Sequence, residues 1–98
     1  MIEITNDMNK VLSTDNAIAY FTGSWCIPCQ KLKPEYAKAG MQDNNNTYFV
    51  IDVDSIENKY IQEYNIKSIP TLIQMNKGIE VKRITARTSD EIIKQVNS

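Results

Sequence analysis

The sequence predicts a single α/β domain. A chain of 98 residues with 42% hydrophobic and 23% charged content has the composition of one ordinary globular unit. Short apolar runs of strand length alternate along it with segments whose apolar residues recur at helical spacing. No internal repeat and no linker interrupts that alternation, so one domain spans residues 1–98.

Taken in order, Ile2 to Ile4 reads as a short strand, and Met8, Val11 and Leu12 as one face of a short helix. Ala17 to Phe21 is a continuous apolar run, the pattern of a strand covered on both faces. From Lys31 to Ala39, Leu32, Tyr36 and Ala39 recur at helical spacing. Pro28 suits a first helical turn, which lacks intrahelical N–H partners, whereas Pro34 lies deep enough to predict a kink. The polar segment Gln42 to Asn46 is a loop before a second strand, Tyr48 to Val53. Asp54 followed by Glu57 predicts a helix start, with Ile56, Tyr60, Ile61 and Tyr64 as its apolar face and Asn65 as a left-handed stop. Thr71 to Met75 and Ile79 to Ile84 form a hairpin through Asn76-Lys77-Gly78. Thr88 with Glu91 is a capping box opening a last helix that buries Ile92, Ile93 and Val96.

Composition narrows the function classes. The net charge of -1 and pI near 5.3 supply no basic patch for nucleic acid or an anionic membrane surface. The opening MIEITNDMNK has no apolar run of signal-peptide length, and no stretch approaches a membrane span, so a reducing cytoplasm is the expected compartment. In that compartment a close cysteine pair is more often catalytic or metal-binding than structural.

The only two cysteines stand in Ser24-Trp25-Cys26-Ile27-Pro28-Cys29-Gln30. A zinc site needs about four nitrogen or sulfur ligands, and the chain has no histidine. A staple closing a loop of about four residues contributes only about 2 kcal/mol. Two thiols at this spacing suit dithiol exchange, in which one attacks and the other resolves. The pair lies between a strand and a helix, placing Cys26 at the helix N-terminus, where free N–H groups and the dipole favour a thiolate, and Cys29 about one turn inside.

The Trp-Cys-x-Pro-Cys motif after an apolar strand, Pro34 five residues past the second cysteine, and Tyr64-Asn65-Ile66-Lys67-Ser68-Ile69-Pro70-Thr71 before a glycine hairpin together resemble the thioredoxin family over nearly the whole chain. The resemblance implies a thioredoxin-like fold with a central mixed sheet flanked by helices. It implies a protein-disulfide reductase in which Cys26 is the nucleophile and Cys29 the resolving thiol, serving electron transport and redox homeostasis. It further implies a cis Pro70 and a docking surface of Trp25, Ile27, Pro28, Ile69, Thr85 and Ala86. No cofactor is expected on the chain, electrons coming from an NADPH/FAD thioredoxin reductase. The partners expected are that reductase and disulfide-containing proteins, with neither nucleic acid nor membrane, and the chain is expected to be a monomer.

Three departures from the family stand out. Tyr20 occupies the position of a buried aspartate, and its partner lysine has no counterpart in the Tyr48 to Val50 strand, which avoids one unpaired buried charge. Tyr20 is therefore a candidate for tuning the thiols: Cys26 should ionise readily and Cys29 should resolve slowly, its proton going to water, to the leaving thiolate or toward the Tyr20 hydroxyl. Ile27 replaces a glycine between the cysteines, and Thr85 a glycine before the last helix. Two rival readings are a glutaredoxin-like, glutathione-dependent enzyme, against which Trp25 stands where tyrosine is usual, and a binding subunit of a larger assembly.

Overall fold

A computed structural model describes residues 1–98, and its elements follow the alternation in the sequence. They are β1 (Ile2–Ile4), α1 (Met8–Leu12), β2 (Ala17–Thr22), α2 (Ile27–Gln42), β3 (Thr47–Asp52), α3 (Asn58–Glu63), β4 (Thr71–Asn76), β5 (Ile79–Ile84) and α4 (Ser89–Val96). The strands form one mixed sheet in the order β1-β3-β2-β4-β5. β3 lies parallel to both β1 and β2, while β4 runs antiparallel to β2 and to β5. β2 is thus the middle strand, and its apolar run is buried from Ala17 to Phe21 because helices cover both faces.

Strand alternation sorts the core into two layers. Ile18 and Tyr20 of β2, with Tyr48 and Val50 of β3, pack under α2 and α4 in a cluster that includes both cysteines. Ala17, Ala19, Phe21, Phe49 and Ile51 point the other way, toward Met8 and Val11 of α1 and Tyr64. In the first layer Tyr20, Tyr36 and Tyr48 stack in sequence, with ring centroids 4.8 Å and 5.4 Å apart. The Tyr36 hydroxyl donates to the Phe49 carbonyl at 2.7 Å and lies 3.1 Å from that of Ile18, which ties α2 to the two central strands.

The local signals hold with three adjustments. Asp54 does not cap α3. Asp52 instead accepts the Asp54 N–H at 2.9 Å and closes a short 3-10 turn over Val53–Ser55, so the helix starts later, behind Glu57, which makes no side-chain cap. Asn76 belongs to β4, and the hairpin turn is Lys77-Gly78, with φ of 49° and 81°. Two consecutive left-handed residues match the strand twist, which is why glycine sits second. Ile93 packs at the core margin while Ile92 and Val96 are buried. Asn65, at φ 52°, ends α3 as expected: the Ile66 N–H reaches back to Ile61 O and the Asn65 N–H to Gln62 O. α2 continues on both sides of Pro34.

The loop after α2 hides a buried carboxylate. Asp43 Oδ2 accepts from the Tyr48 hydroxyl at 2.8 Å, Asn46 Nδ2 at 2.9 Å and Asn97 Nδ2 at 3.1 Å, and Oδ1 from the Asn45 N–H at 3.0 Å. Burial pushes the Asp43 carboxyl up, but these donors outweigh it and hold the group below its ordinary value. A carboxylate with a depressed folded pKa stabilises the fold fully above the unfolded value, near pH 4, and loses that contribution as pH falls through the folded value. Asp43→Asn should therefore lower stability at pH 7 and lose less than the parent chain between about pH 4 and pH 2, measured by chemical denaturation of the oxidised protein.

Candidate active site

β2 carries the chain to the edge of the first core layer, and the backbone turns there at Gly23. A Cβ on Gly23 would fall 2.9 Å from Ile69 Cδ1 and 3.1 Å from Trp25 Nε1, so the bare glycine lets both side chains close over the turn where a larger residue would push them aside. Cys26 then takes an extended conformation (φ -95°, ψ 109°) as the N-cap of α2, with Pro28 in the first turn. Its Sγ occupies the place of a capping oxygen and accepts the Cys29 N–H at 3.2 Å. Cys26 and Cys29 are joined in a disulfide, and both are buried, at 5% and 1% exposure. Ile69 O lies 3.7 Å from Cys26 Sγ, and the Ile69–Pro70 peptide bond is cis. This arrangement aims a backbone N–H and the positive end of a helix at one sulfur, which favours its thiolate once the bond is opened.

The structure brings most of the expected residues together. Trp25 and Ile27 flank the sulfurs and are 67% and 66% exposed, while Pro28 is exposed beside them. Ile69 and Ala86 pack against the cluster that holds Cys26 and Cys29. Thr85 is exposed and, with Ala86, lines a recess that Glu91, Lys94 and Gln95 complete, where its Oγ1 accepts from Gln95 Nε2 at 3.2 Å.

Tyr20 faces the site as a neutral hydrogen-bond donor. Its hydroxyl donates to the Cys29 carbonyl at 2.7 Å, directing its proton to the backbone. Burial pushes this phenol up, with hydrogen bonding to Thr22 and the charge of Arg87 opposing the shift more weakly. Across the ladder its partner is Val50, so no charge stands opposite it.

Two features escaped sequence reasoning. Trp25 Nε1 donates to Asp54 Oδ2 at 3.2 Å, fixing the indole over the groove that Ile61, Ile66, Lys67 and Ile69 line. Asp54 followed by Glu57 reads as a helix cap, and nothing local marks it as a partner of a residue 29 positions earlier. The second is a cavity of about 400 Å³ whose lining includes Cys29, Lys33 and Asp52. Lys33 stands four residues after Cys29 on one helix face, a weak signal available in the sequence. No group of three or more histidine, cysteine or acidic side chains converges as a metal site, and no helix is long and apolar enough to cross a membrane.

Comparison with known proteins gives concordant findings. The thioredoxin family model matches residues 2–98. Thioredoxin H5 of Arabidopsis thaliana is 31% identical over 91 residues, covering 93% of this chain and 72% of that protein. A thioredoxin of Mycoplasma genitalium is 34% identical over 68 residues, 69% of this chain and 66% of that one. Among solved structures, oxidised thioredoxin of Plasmodium falciparum superposes with a TM-score of 0.81 at 20% identity, covering 99% of this chain and 96% of the other, which supports the fold.

The neutral pair Tyr20 and Val50 gives a direct test of how charge at this position acts. Tyr20→Asp places a carboxylate in the apolar layer without a cation opposite, so the denaturation midpoint should fall. The pH midpoint for alkylation of Cys26 in the reduced protein should rise, because a nearby negative charge disfavours the thiolate.

Proposed function

The chain belongs to the thioredoxin family, and from that premise we propose that it works as a reductant of protein disulfides in the cytoplasm. Thiol–disulfide oxidoreductase chemistry follows from the family and from the bonded Cys26–Cys29 pair. The observation that carries the direction of attack is the Cys29 N–H directed at Cys26 Sγ at the head of α2.

In the reduced protein, Cys26 as thiolate attacks one sulfur of a substrate disulfide. The Cys26–substrate bond forms, the substrate S–S bond breaks, and one substrate sulfur leaves as thiolate. Cys29 then attacks Cys26, forming the intramolecular disulfide and releasing the second substrate sulfur, so two electrons pass to the substrate. The deeper burial of Cys29 supports this division, since an incoming disulfide meets Cys26 first. Trp25, Ile27 and Pro28 on one side and Ile69, Pro70 and Ala86 on the other form the docking surface for an extended substrate segment. The family uses no bound cofactor, so electrons arrive from outside, in our reading from an NADPH/FAD thioredoxin reductase, to a monomer.

The reading is tested by equilibrating the Cys26–Cys29 couple against a dithiol buffer. A potential near the thioredoxin value of about -270 mV is expected, and one above about -200 mV would replace the reductant with an oxidant, an isomerase or a glutathione-coupled enzyme. Cys26→Ser should abolish insulin-disulfide reduction, while Cys29→Ser should leave a stable mixed disulfide with substrate, visible as an intermolecular adduct by mass spectrometry.

A further inference from the structure

Resolution requires the Cys29 thiol to lose its proton, and the structure places no buried carboxylate beside it to take that proton. Tyr20 is held protonated by burial and gives its hydrogen to the Cys29 carbonyl. Cys29 instead shares a cavity of about 400 Å³ with two charged side chains, Lys33 and Asp52, its lining including Thr22, Gly23 and Val50. This cavity shares no lining residue with the groove of Trp25 and Ile69, so the recess beside Cys29 is distinct from that groove. At roughly 30 Å³ per molecule it has room for several waters.

Lys33 follows Cys29 by four residues in α2, and helical side chains lean toward the helix N-terminus, which carries the lysine back over the cysteine. Asp52 ends β3, opposite Thr22 of β2, and its Oδ1 is fixed by the Asp54 N–H at 2.9 Å. The ion pairs of the molecule join other residues, so Lys33 and Asp52 face the cavity as separate charges. The other titratable groups in the cluster around Cys29 are Cys26 at the N-cap of α2, Tyr36 on α2, Tyr20 on β2 and Tyr48 on β3, with the Arg87 charge acting on Tyr20 from beyond β5.

We infer that Lys33 and Asp52 set the readiness of Cys29 to resolve, with opposite signs: the Lys33 ammonium favours the Cys29 thiolate, the Asp52 carboxylate opposes it, and cavity water takes the proton. Both are positioning residues, acting through the field at the sulfur. The inference rests on Cys29 being the resolving thiol. In the step concerned, the Cys29 S–H proton passes to water, the Cys29–Cys26 S–S bond forms, and the bond from Cys26 to the bound sulfur breaks, that sulfur leaving as thiolate.

The test uses the full reduced chain and one equivalent of 5,5′-dithiobis(2-nitrobenzoate), followed by stopped flow. Attack by Cys26 releases a first thionitrobenzoate and resolution by Cys29 a second, so the two steps read separately. Lys33→Met, which keeps the apolar stem, should slow the second phase about threefold at neutral pH and move its pH midpoint up by about half a unit, the size of a partly screened charge effect. Asp52→Asn, which keeps an acceptor for the Asp54 N–H, should speed it by a similar factor and move the midpoint down. A merely structural disturbance slows both. Changes of the same sign in the two variants, or no change in either one, overturn the inference while leaving the proposed function standing. Release of a single thionitrobenzoate from the parent chain overturns the resolving role itself, and the inference with it.

Discussion

The contact on which the site depends is the Cys29 N–H to Cys26 Sγ, at 3.2 Å. A helix leaves its first N–H groups without partners, and a capping side chain satisfies one of them. Here a sulfur takes the place of the cap, so the atom that completes the helix is also the atom that exchanges bonds. The demand propagates outward. Cys26 must be extended for its side chain to reach back, Pro28 can enter the first turn because no N–H is needed there, and Cys29 falls one turn along, pointing into the layer under α2. Gly23 lets Ile69 and Trp25 approach the same turn.

Beneath the sulfurs the interior is neutral. Tyr20 packs against Tyr36, and Tyr36 against Tyr48, and the ladder partner of Tyr20 is the uncharged Val50. Burial pushes each phenol above its ordinary value, so all three remain donors, and each hydroxyl has an acceptor: Cys29 O, Phe49 O and the Asp43 carboxylate. The one carboxylate in this layer sits at the far end of the stack, surrounded by side-chain and backbone donors. The three phenols are thus satisfied without placing an ion beside the thiols, and the one buried side-chain atom left without a partner, Gln74 Oε1, lies at the α4 end, where the Gln74 Nε2 donates to Val96 O.

The elements that the sequence made legible are those whose signals are local. Ala17 to Phe21 and Tyr48 to Val53 are apolar runs bounded by turn residues, and Cys26 with Pro28 marks a helix start by backbone chemistry alone. Asp54 shows the opposite case. Its spacing to Glu57 is a valid cap pattern, yet the 3-10 turn built on Asp52 and the bond from Trp25 claim it first, and both depend on where the chain goes in space. Thr85 is similar: its position next to the last helix was legible, but the Gln95 side chain that accepts from the N–H groups of both Thr85 and Ala86 was not. Within the site, the motif exposed the sulfurs and the Ile69-Pro70 segment. Lys33 and Asp52 stayed hidden because a helix face and a strand end meet only after the sheet has formed.

The sheet also divides the molecule in a way that bears on the sulfurs. Both sulfurs belong to the layer under α2 and α4, while the layer toward α1 is built from different residues of the same strands. Substitutions at Met8, Val11, Phe49 or Ile51 alter packing on the side away from the thiols and reach them only through Ile69, which packs against both layers. In the layer of Tyr20, Tyr36 and Tyr48, a change reaches the Cys29 carbonyl through a single hydrogen bond. Changes on the two sides of the sheet therefore reach the sulfurs by different routes, through Ile69 from behind and through Tyr20 from the front.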